Sequence, residues 1–289
     1  MIPLSGHDRC APSAERRGDQ LYATAAPVSR WLLVEQPGHW GWDALASRTT
    51  PELAAQLTAA ATVAGVRIVL IRRPGRSVAG SPKAWAYVDS RPGHELTRWG
   101  SYAQYAELLD GPLGGVGGRP DPEPIYLVCA HGRHDACCAI RGRPVAAALT
   151  RLAGSQVWEC SHIGGDRFAA NVVVLPEGLY YGHVTVDAVP ALLAAHRAGE
   201  VLLPLLRGRS ALPAPAQAAQ HFAREMLTEH RLAALAPRAV DRTGAQLWRV
   251  VLARPGGDFT VAVRGEPAQA QRLTCSAGRV ASVRTFRAV

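Results

Sequence analysis

The stretch CAHGRHDACC, residues 129–138, concentrates side chains that can bind a metal or act as nucleophiles. It holds three cysteines, two histidines and an aspartate. A second stretch, HIGGD, residues 162–166, adds a histidine and an aspartate. Thiolates and imidazoles select zinc, copper or iron-sulfur centres. The two stretches together therefore predict a metal or cluster site.

Each stretch follows a predicted strand. Cys129 ends the apolar segment PIYLVCA, and Cys137 and Cys138 come shortly before a predicted helix. His162 and Asp166 follow the segment QVWECS, which is the next predicted strand. Ligands of open α/β sheets gather at the carboxyl ends of the strands. We therefore expect the two loops to converge at one end of a sheet.

Other chemistries that use cysteine need different spacings. A thioredoxin-type redox centre needs two cysteines separated by two residues at a helix N-terminus, and neither the adjacent Cys137 and Cys138 nor the distant Cys129 provides this. A cysteine phosphatase needs an arginine six positions after its cysteine, where this chain has Asp135. A nucleophilic pair of Cys129 with His131 or His162 is possible, but the sequence shows no evident oxyanion hole or substrate pocket for it. Metal binding fits the spacing better.

Two cysteines of the first loop and His162 of the second provide three ligands, and the fourth position is open. Asp166, Cys137 and Cys160 are the candidates for it. Cys160 lies two residues before His162, so strand alternation places both on one face if the strand extends that far.

The composition is that of a folded protein without a nucleic-acid function. The chain has 289 residues, is 48% hydrophobic and carries a net charge of +9 that comes almost entirely from arginine, since Lys83 is the only lysine. The arginines are scattered, whereas nucleic-acid-binding proteins cluster them. We predict no nucleic-acid partner, although the positive field could steer an acidic redox protein.

Membrane and export signals are also missing from the sequence pattern. No apolar run approaches the roughly 18 residues of a membrane span, and the start MIPLSGHDRCAPSAERRG lacks the apolar core of a secretion signal. We expect a cytoplasmic protein without a membrane partner. In a reducing cytosol clustered cysteines indicate metal binding or catalysis. Cys10 and Cys275 stand apart from the cluster and are interpreted as bystanders.

The chain divides into three predicted units. Alternating strands and helices precede the segment DGPLGGVGGRPDPEP, whose glycines and prolines indicate a boundary near residue 120. The order of elements after it, β-loop-α-β-loop-β-β-α, suits a thioredoxin-like sheet. The predicted units are an N-terminal α/β domain at residues 1–115, a thioredoxin-like domain at 120–212 and a C-terminal α+β unit at 213–289.

Within these units, capping residues and prolines predict the helix bounds. Thr50 and Pro51 predict the start of a helix over PELAAQLTAAATVA, and Pro144 predicts the start of a second helix that ends at Gly154. Asp135 is interpreted as a cap of the helix after the cysteines. At the end of the chain, QLWRVVLARP, DFTVAVRG and AQRLTCSAG are predicted as three short strands.

The strings CAHGRHDACC and SHIGGDRFAANVVVLPEGLYYGHV resemble the signature blocks of the sucrase/ferredoxin-like family. This family includes thioredoxin-like 2Fe-2S ferredoxins, and LLVEQPGHWG is similar to its opening strand and tryptophan turn. The resemblance implies a thioredoxin-like ferredoxin domain, preceded by a smaller α/β domain and followed by a small α+β unit.

The resemblance also implies a ligand set. Fungal relatives hold a 2Fe-2S cluster with two cysteines and two histidines, which correspond here to Cys129, Cys138, His162 and Asp166. Asp166 stands where those relatives have the second histidine, in a His-x-Gly-Gly-His string. Aspartate is a harder, negatively charged ligand and should lower the reduction potential.

The function implied by the resemblance is electron transfer between a reductase and an acceptor protein, as a carrier rather than a catalyst. A zinc site with the same ligands is the first alternative. A cluster-free binding scaffold and a thiol-dependent reductase that uses Cys137 and Cys138 are the others.

Overall fold

A computed structural model describes residues 9–75 and 82–289 of the protein. The first eight residues, on which the prediction of no secretion signal partly depends, and residues 76–81 lie outside the described residues. Within the described ranges, no helix combines the length and the apolar character that crossing a bilayer requires.

The described residues form five α-helices and fourteen strands. The helices are α1 (Cys10–Arg17), α2 (Pro51–Ala64), α3 (Ala136–Ala153), α4 (Val189–Arg197) and α5 (Ala214–Leu227). The strands are β1 (Arg30–Glu35), β2 (Arg67–Arg72), β3 (Lys83–Asp89), β4 (Leu96–Tyr102), β5 (Arg119–Pro120), β6 (Ile125–Cys129), β7 (Val157–Cys160), β8 (Val172–Leu175), β9 (Leu179–Tyr181), β10 (Leu206–Arg209), β11 (Pro237–Gly244), β12 (Leu247–Leu252), β13 (Phe259–Pro267) and β14 (Arg284–Ala288).

Ten strands form one large sheet in the order β10-β9-β8-β6-β7-β2-β1-β3-β4-β5, and β11 to β14 form a separate sheet. The pairs β1/β2 and β6/β7 are parallel, and the other neighbours are antiparallel. The predicted fold class, an α/β protein with a small α+β unit at its end, is confirmed. The three residue ranges given for the units stay a prediction, and the first two contribute strands to the same sheet.

The two halves of the large sheet have the same strand order. The series β4-β3-β1-β2 matches β9-β8-β6-β7, and a helix connects the parallel strands in each. The halves meet where β2 pairs antiparallel with β7, Ile71 opposite Cys160 and Arg72 opposite Glu159. Only the last residues of β2 and β7 pair with each other. The loops that follow the parallel pairs β1/β2 and β6/β7 therefore lie near the middle of the sheet.

Both faces of the large sheet are buried. In β6, Tyr126 and Val128 join the core under α3 and α4, whereas Leu127 and Cys129 join a core on the other face. This alternation is the two-residue period of a strand. The small sheet packs its apolar face against α5.

Helix α3 begins earlier than predicted. It starts at Ala136 and runs through Pro144, so the prediction of a start at Pro144 is wrong. The Asp135 carboxylate accepts a hydrogen bond of 2.7 Å from the Cys137 amide and caps the helix, which confirms the predicted role of Asp135. Proline favours the first turn of a helix, but the aspartate cap upstream decides where this one begins.

The C-terminal sheet also differs from the prediction. AQRLTCSAG is not a strand: it pairs only through an isolated bridge between Gln271 and Ala281. Strands β11 and β14 take part instead. Strand β11 is exposed along most of its length, so it lacks the apolar alternation by which a strand is recognised in a sequence.

Candidate metal centre

The site lies where β6 and β7 end. These parallel neighbours are in register with Cys129 opposite Cys160, so the loops that follow them start side by side. Cys129 is the last residue of β6, and His162 comes two residues after β7. The predicted convergence of the two loops is therefore present.

The adjacent cysteines occupy the first turn of α3 and face different neighbours. Consecutive residues of an α-helix point about 100° apart. Cys138 joins the core that contains Cys129, whereas Cys137 packs with Cys10 and has Cys275 beside it. The two neighbouring thiols thus belong to different clusters.

Sulfur and imidazole atoms meet at the first cluster. Three ligand atoms lie within 4.8 Å of one another, one each from Cys129, Cys138 and His162. Asp166 Oδ1 lies 3.1 Å from Cys138 Sγ and 2.9 Å from His162 Nδ1. The structure thus brings together all four residues that the sequence singled out, and their role as ligands stays a prediction.

The two alternative fourth ligands lie elsewhere. Cys160 is buried in the core next to Cys129, its neighbour across the β6/β7 pair. Cys137 Sγ lies 3.5 Å from Cys275 Sγ, in the second cluster. Of the three candidates, Asp166 is the one whose side chain contacts both Cys138 and His162.

The surroundings favour the charged forms of Cys129 and His162. The pKa of Cys129 is well below its usual value because the Cys138 and Cys160 thiols donate to its sulfur and His162 lies beside it. Burial alone would lower the pKa of His162, but the Asp166 carboxylate and the Cys129 sulfur together outweigh burial and raise that pKa to about 9. A cationic imidazole thus stabilises the neighbouring thiolate and carboxylate in a largely buried site.

The loop from His162 to Asp166 is held from behind by a buried arginine. Arg207 donates to the Gly164 carbonyl at 3.0 Å and to Asn171 Oδ1 at 2.7 Å, and Asn171 donates to the Gly165 carbonyl at 2.9 Å. Gly165 has a φ of 83°, and a side chain there would collide with the Arg207 guanidinium. Both the left-handed conformation and the close approach therefore require glycine.

Aromatic rings cover the outer edge of the site. The His134 ring stacks on His162 with centroids 3.7 Å apart, and Trp42 stacks on His134 at 5.0 Å. His131 Nε2 lies 2.6 Å from the Gly41 carbonyl, while its Nδ1 accepts from the His162 amide at 3.3 Å. Trp42 and Gly41 come from the loop after β1, so both halves of the large sheet build this edge.

These donors fit a thiophilic metal. His162 Nδ1 is buried and has no well-oriented hydrogen bond among the described residues, despite its distance of 2.9 Å from Asp166. A tetrahedral ion with bonds of about 2.0 to 2.3 Å holds its ligand atoms about 3.3 to 3.8 Å apart. Cys129, Cys138 and His162 lie close enough together to share one metal atom, and Asp166 is slightly closer to Cys138 and His162 than such an ion would hold it. For two irons, Cys129 and Cys138 would have to lie further from His162 and Asp166.

Three residues of the site escaped the sequence analysis. Arg207 lies in β10, far along the chain from the loop it supports, and no local motif marks it. Nothing in their local sequence singles out Trp42 or His134, but the structure stacks His134 on His162 and Trp42 on His134. Only their location in the tertiary structure identifies them.

A mixed α/β fold with thiol and imidazole groups at the ends of β6 and β7 defines this molecule as an α/β protein with a candidate metal centre. The chain belongs to the sucrase/ferredoxin-like family, whose sequence model matches residues 21–208, that is 188 of the 289 residues. The predicted family membership is thereby confirmed. A comparison with curated proteins found no match.

Among solved structures, the chain is similar to a thioredoxin-like [2Fe-2S] ferredoxin from Aquifex aeolicus. The two are 20% identical over 31% of this chain and 94% of the ferredoxin, with a TM-score of 0.28. Two cysteine-to-serine variants of that ferredoxin match at 20% identity, over 29% of this chain and 97% of theirs, with TM-scores of 0.26 and 0.27.

Proposed function

We propose that this protein holds a 2Fe-2S cluster with Cys129, Cys138, His162 and Asp166 and carries single electrons between a reductase and an acceptor protein. The observation that carries the proposal is the meeting of two sulfurs and one imidazole from separate loops within 4.8 Å. Membership of the sucrase/ferredoxin-like family supports it.

Bound there, the cluster would supply reversible one-electron chemistry. The residues around it set the conditions for that chemistry. Cys129 and Cys138 are buried, which keeps water from the sulfurs. Asp166 adds a negative charge, and Arg207 places a buried positive charge behind the loop. The balance of these charges tunes the potential.

Electron exchange with a partner would take place at the outer edge of the site. The His162 side chain is 24% exposed, the only one of the four proposed ligands that is not buried. His134 stacks on it, and Trp42, which is 59% exposed, stacks on His134. We propose that the partner docks over this aromatic edge. The net charge of +9 favours an acidic partner.

Zinc at the same ligands is the second candidate. It is favoured by the short separations, since Cys129, Cys138 and His162 each offer a ligand atom within 4.8 Å of the others, and Asp166 lies 3.1 Å from Cys138 and 2.9 Å from His162. A zinc site with four protein ligands would be structural. The protein would then be colourless and would transfer no electrons.

The test is anaerobic purification followed by measurement of iron, acid-labile sulfide and zinc. We expect a reddish-brown protein with two irons and two sulfides per chain. Cys129→Ser and Cys138→Ser should each lose both, while Cys10→Ser should retain them. If the protein contains zinc that is lost in Cys129→Ser, the site is assigned to zinc instead. If no metal is lost in Cys129→Ser, both candidates are overturned.

A further inference from the structure

Three cysteines from distant parts of the chain form a second sulfur cluster. Cys10 begins α1, Cys137 lies in the first turn of α3, and Cys275 lies in the loop between β13 and β14. Cys275 Sγ is 3.5 Å from Cys10 Sγ and 3.5 Å from Cys137 Sγ. All three thiols are free, because a disulfide would hold the sulfurs about 2.0 Å apart.

The Asp135 carboxylate completes this group. One oxygen accepts a hydrogen bond of 2.7 Å from the Cys137 amide, and the other accepts one of 2.6 Å from the Cys275 amide. The two oxygens lie 3.6 and 3.5 Å from Cys10 Sγ. One ligand atom from each of the four residues lies within 4.8 Å of the others.

We propose that Cys10, Cys137, Cys275 and Asp135 bind one zinc ion. Zinc bonds to sulfur of about 2.3 Å and to oxygen of about 2.1 Å place tetrahedral ligands about 3.8 Å apart for two sulfurs and about 3.5 Å apart for sulfur and oxygen. The Cys275 sulfur is slightly closer than this to the sulfurs of Cys10 and Cys137, and the Asp135 oxygens are at about the expected distance from the Cys10 sulfur. Small movements of the thiols would admit the ion.

Burial and charge agree with a metal. Cys10 is 1% exposed and Cys137 2% exposed, so water cannot readily solvate the thiolates. Three thiolates and a carboxylate on Zn²⁺ leave a net charge of −2. Arg141 and Arg167 both interact electrostatically with Cys10, and Arg141 also with Cys137. Arg141 also pairs with Glu15 and Arg167 with Asp19, so the two guanidinium groups offset the excess charge only in part.

The site would be structural and separate from the proposed electron-transfer centre. With four protein ligands and little exposure, it has no open position for a substrate. Its ligands come from α1, from the start of α3 and from the C-terminal unit. Zinc would therefore fix both ends of the chain to the helix that carries Cys138. The adjacent Cys137 and Cys138 would each serve a different metal centre.

The experiment compares zinc content across matched variants of the full chain, produced with added zinc. We expect one zinc per chain in the unmodified protein. It should be retained in Cys129→Ser and lost in Cys10→Ser and Cys275→Ser. Iron should be lost in Cys129→Ser and retained in Cys10→Ser and Cys275→Ser. Failure of this proposal can therefore be told from failure of the electron-transfer proposal. Circular dichroism checks that each variant is folded.

A second measurement uses the unmodified protein, so it does not depend on how the variants fold. After removal of zinc, addition of Co²⁺ should give the intense thiolate charge-transfer and visible bands of a tetrahedral cobalt-thiolate site, and added Zn²⁺ should bleach them. The proposal is overturned if no such bands form. It is also overturned if the zinc survives Cys10→Ser and Cys275→Ser, or if mass spectrometry finds a disulfide between these two cysteines.

Discussion

At the scale of single residues, Asp166 sets the charge of the candidate metal centre. Its carboxylate is buried between Cys138 and His162, with His134 Nε2 at 3.7 Å from its second oxygen. The resemblance to fungal members of the family implies a histidine in them at this position. A carboxylate stabilises the more oxidised, more positive state of a metal, so this chain should have the lower potential.

The replacement Asp166→His should therefore retain the cluster and raise its potential. Removing one negative ligand charge should shift the potential upward by roughly 100 mV or more. Redox titration followed by visible absorption or electron paramagnetic resonance measures this shift. Asp187→His, at an exposed position, serves as the control and should leave the potential unchanged. An unchanged potential in Asp166→His would remove Asp166 from the ligands.

A second residue-scale prediction concerns Arg207, which positions the His162–Asp166 loop without contacting the metal. Lysine in its place keeps the charge but cannot bind Gly164, Asn171 and Thr24 together. Arg207→Lys should weaken metal retention about 10- to 100-fold, the usual effect of losing a supporting contact.

The rate of iron loss to a chelator measures this effect. Arg209→Lys lies two residues along the same strand and contacts Glu177 and Glu95 instead, so it should behave as the unmodified protein. Equal rates in the two variants would show that Arg207 does not position the loop.

At the scale of elements, the distance between α3 and β6 decides whether Cys138 can reach Cys129. Gly142 is the point of closest approach: a side chain there would collide with the Cys129 carbonyl oxygen. The glycine lets the helix lie directly on the end of the strand. Helix α3 thereby carries its first turn to the site.

Gly142→Ala should push α3 away from β6 and separate the two sulfurs. We expect a stability loss of about 1–3 kcal/mol, typical of overpacking, and a marked fall in metal content. Urea unfolding and metal analysis measure the two effects. Ala147→Leu adds bulk on the exposed face of the same helix and is the matched control. Normal metal content in Gly142→Ala would refute the link between helix position and site.

At the scale of the whole molecule, a short junction joins the two halves of the large sheet. Only two residue pairs connect β2 to β7, and side chains reinforce them. Arg72 Nε and Nη2 lie 2.8 and 2.7 Å from the Glu159 carboxylate, and the Arg72 guanidinium packs over Trp40 at 4.3 Å. This ion pair is largely buried, which makes it worth more than a surface pair.

Glu159→Gln should destabilise the protein by about 1.5–3 kcal/mol, because a buried charged hydrogen bond is weakened and Arg72 loses its counter-charge. Chemical denaturation provides the measurement. Asp241→Asn removes the partner of Arg249 in an ion pair at 3.4 Å, with both side chains half-exposed or more. It should cost under about 1 kcal/mol. Equal losses in the two variants would contradict a special role of the junction.

The predictions succeeded where a local pattern carried the information. The apolar run of β6 located a strand, the Thr50 side chain accepts from the Leu53 amide and caps α2 as expected, and Asp135 caps α3. They failed where long-range pairing decides the structure. Strand β11 is held by its partner β12 rather than by its own sequence pattern.

The sequence by itself determined which side chains can bind a metal and which of them follow the same two strands. Side-chain type and strand periodicity are local properties, so they can be read along the chain. The tertiary structure alone decided how the cysteines are grouped. Cys10 and Cys275 are 265 residues apart, yet both contact the helix turn at Cys137. Such contacts depend on how elements pack, because no short-range pattern encodes a meeting between the two ends of a chain.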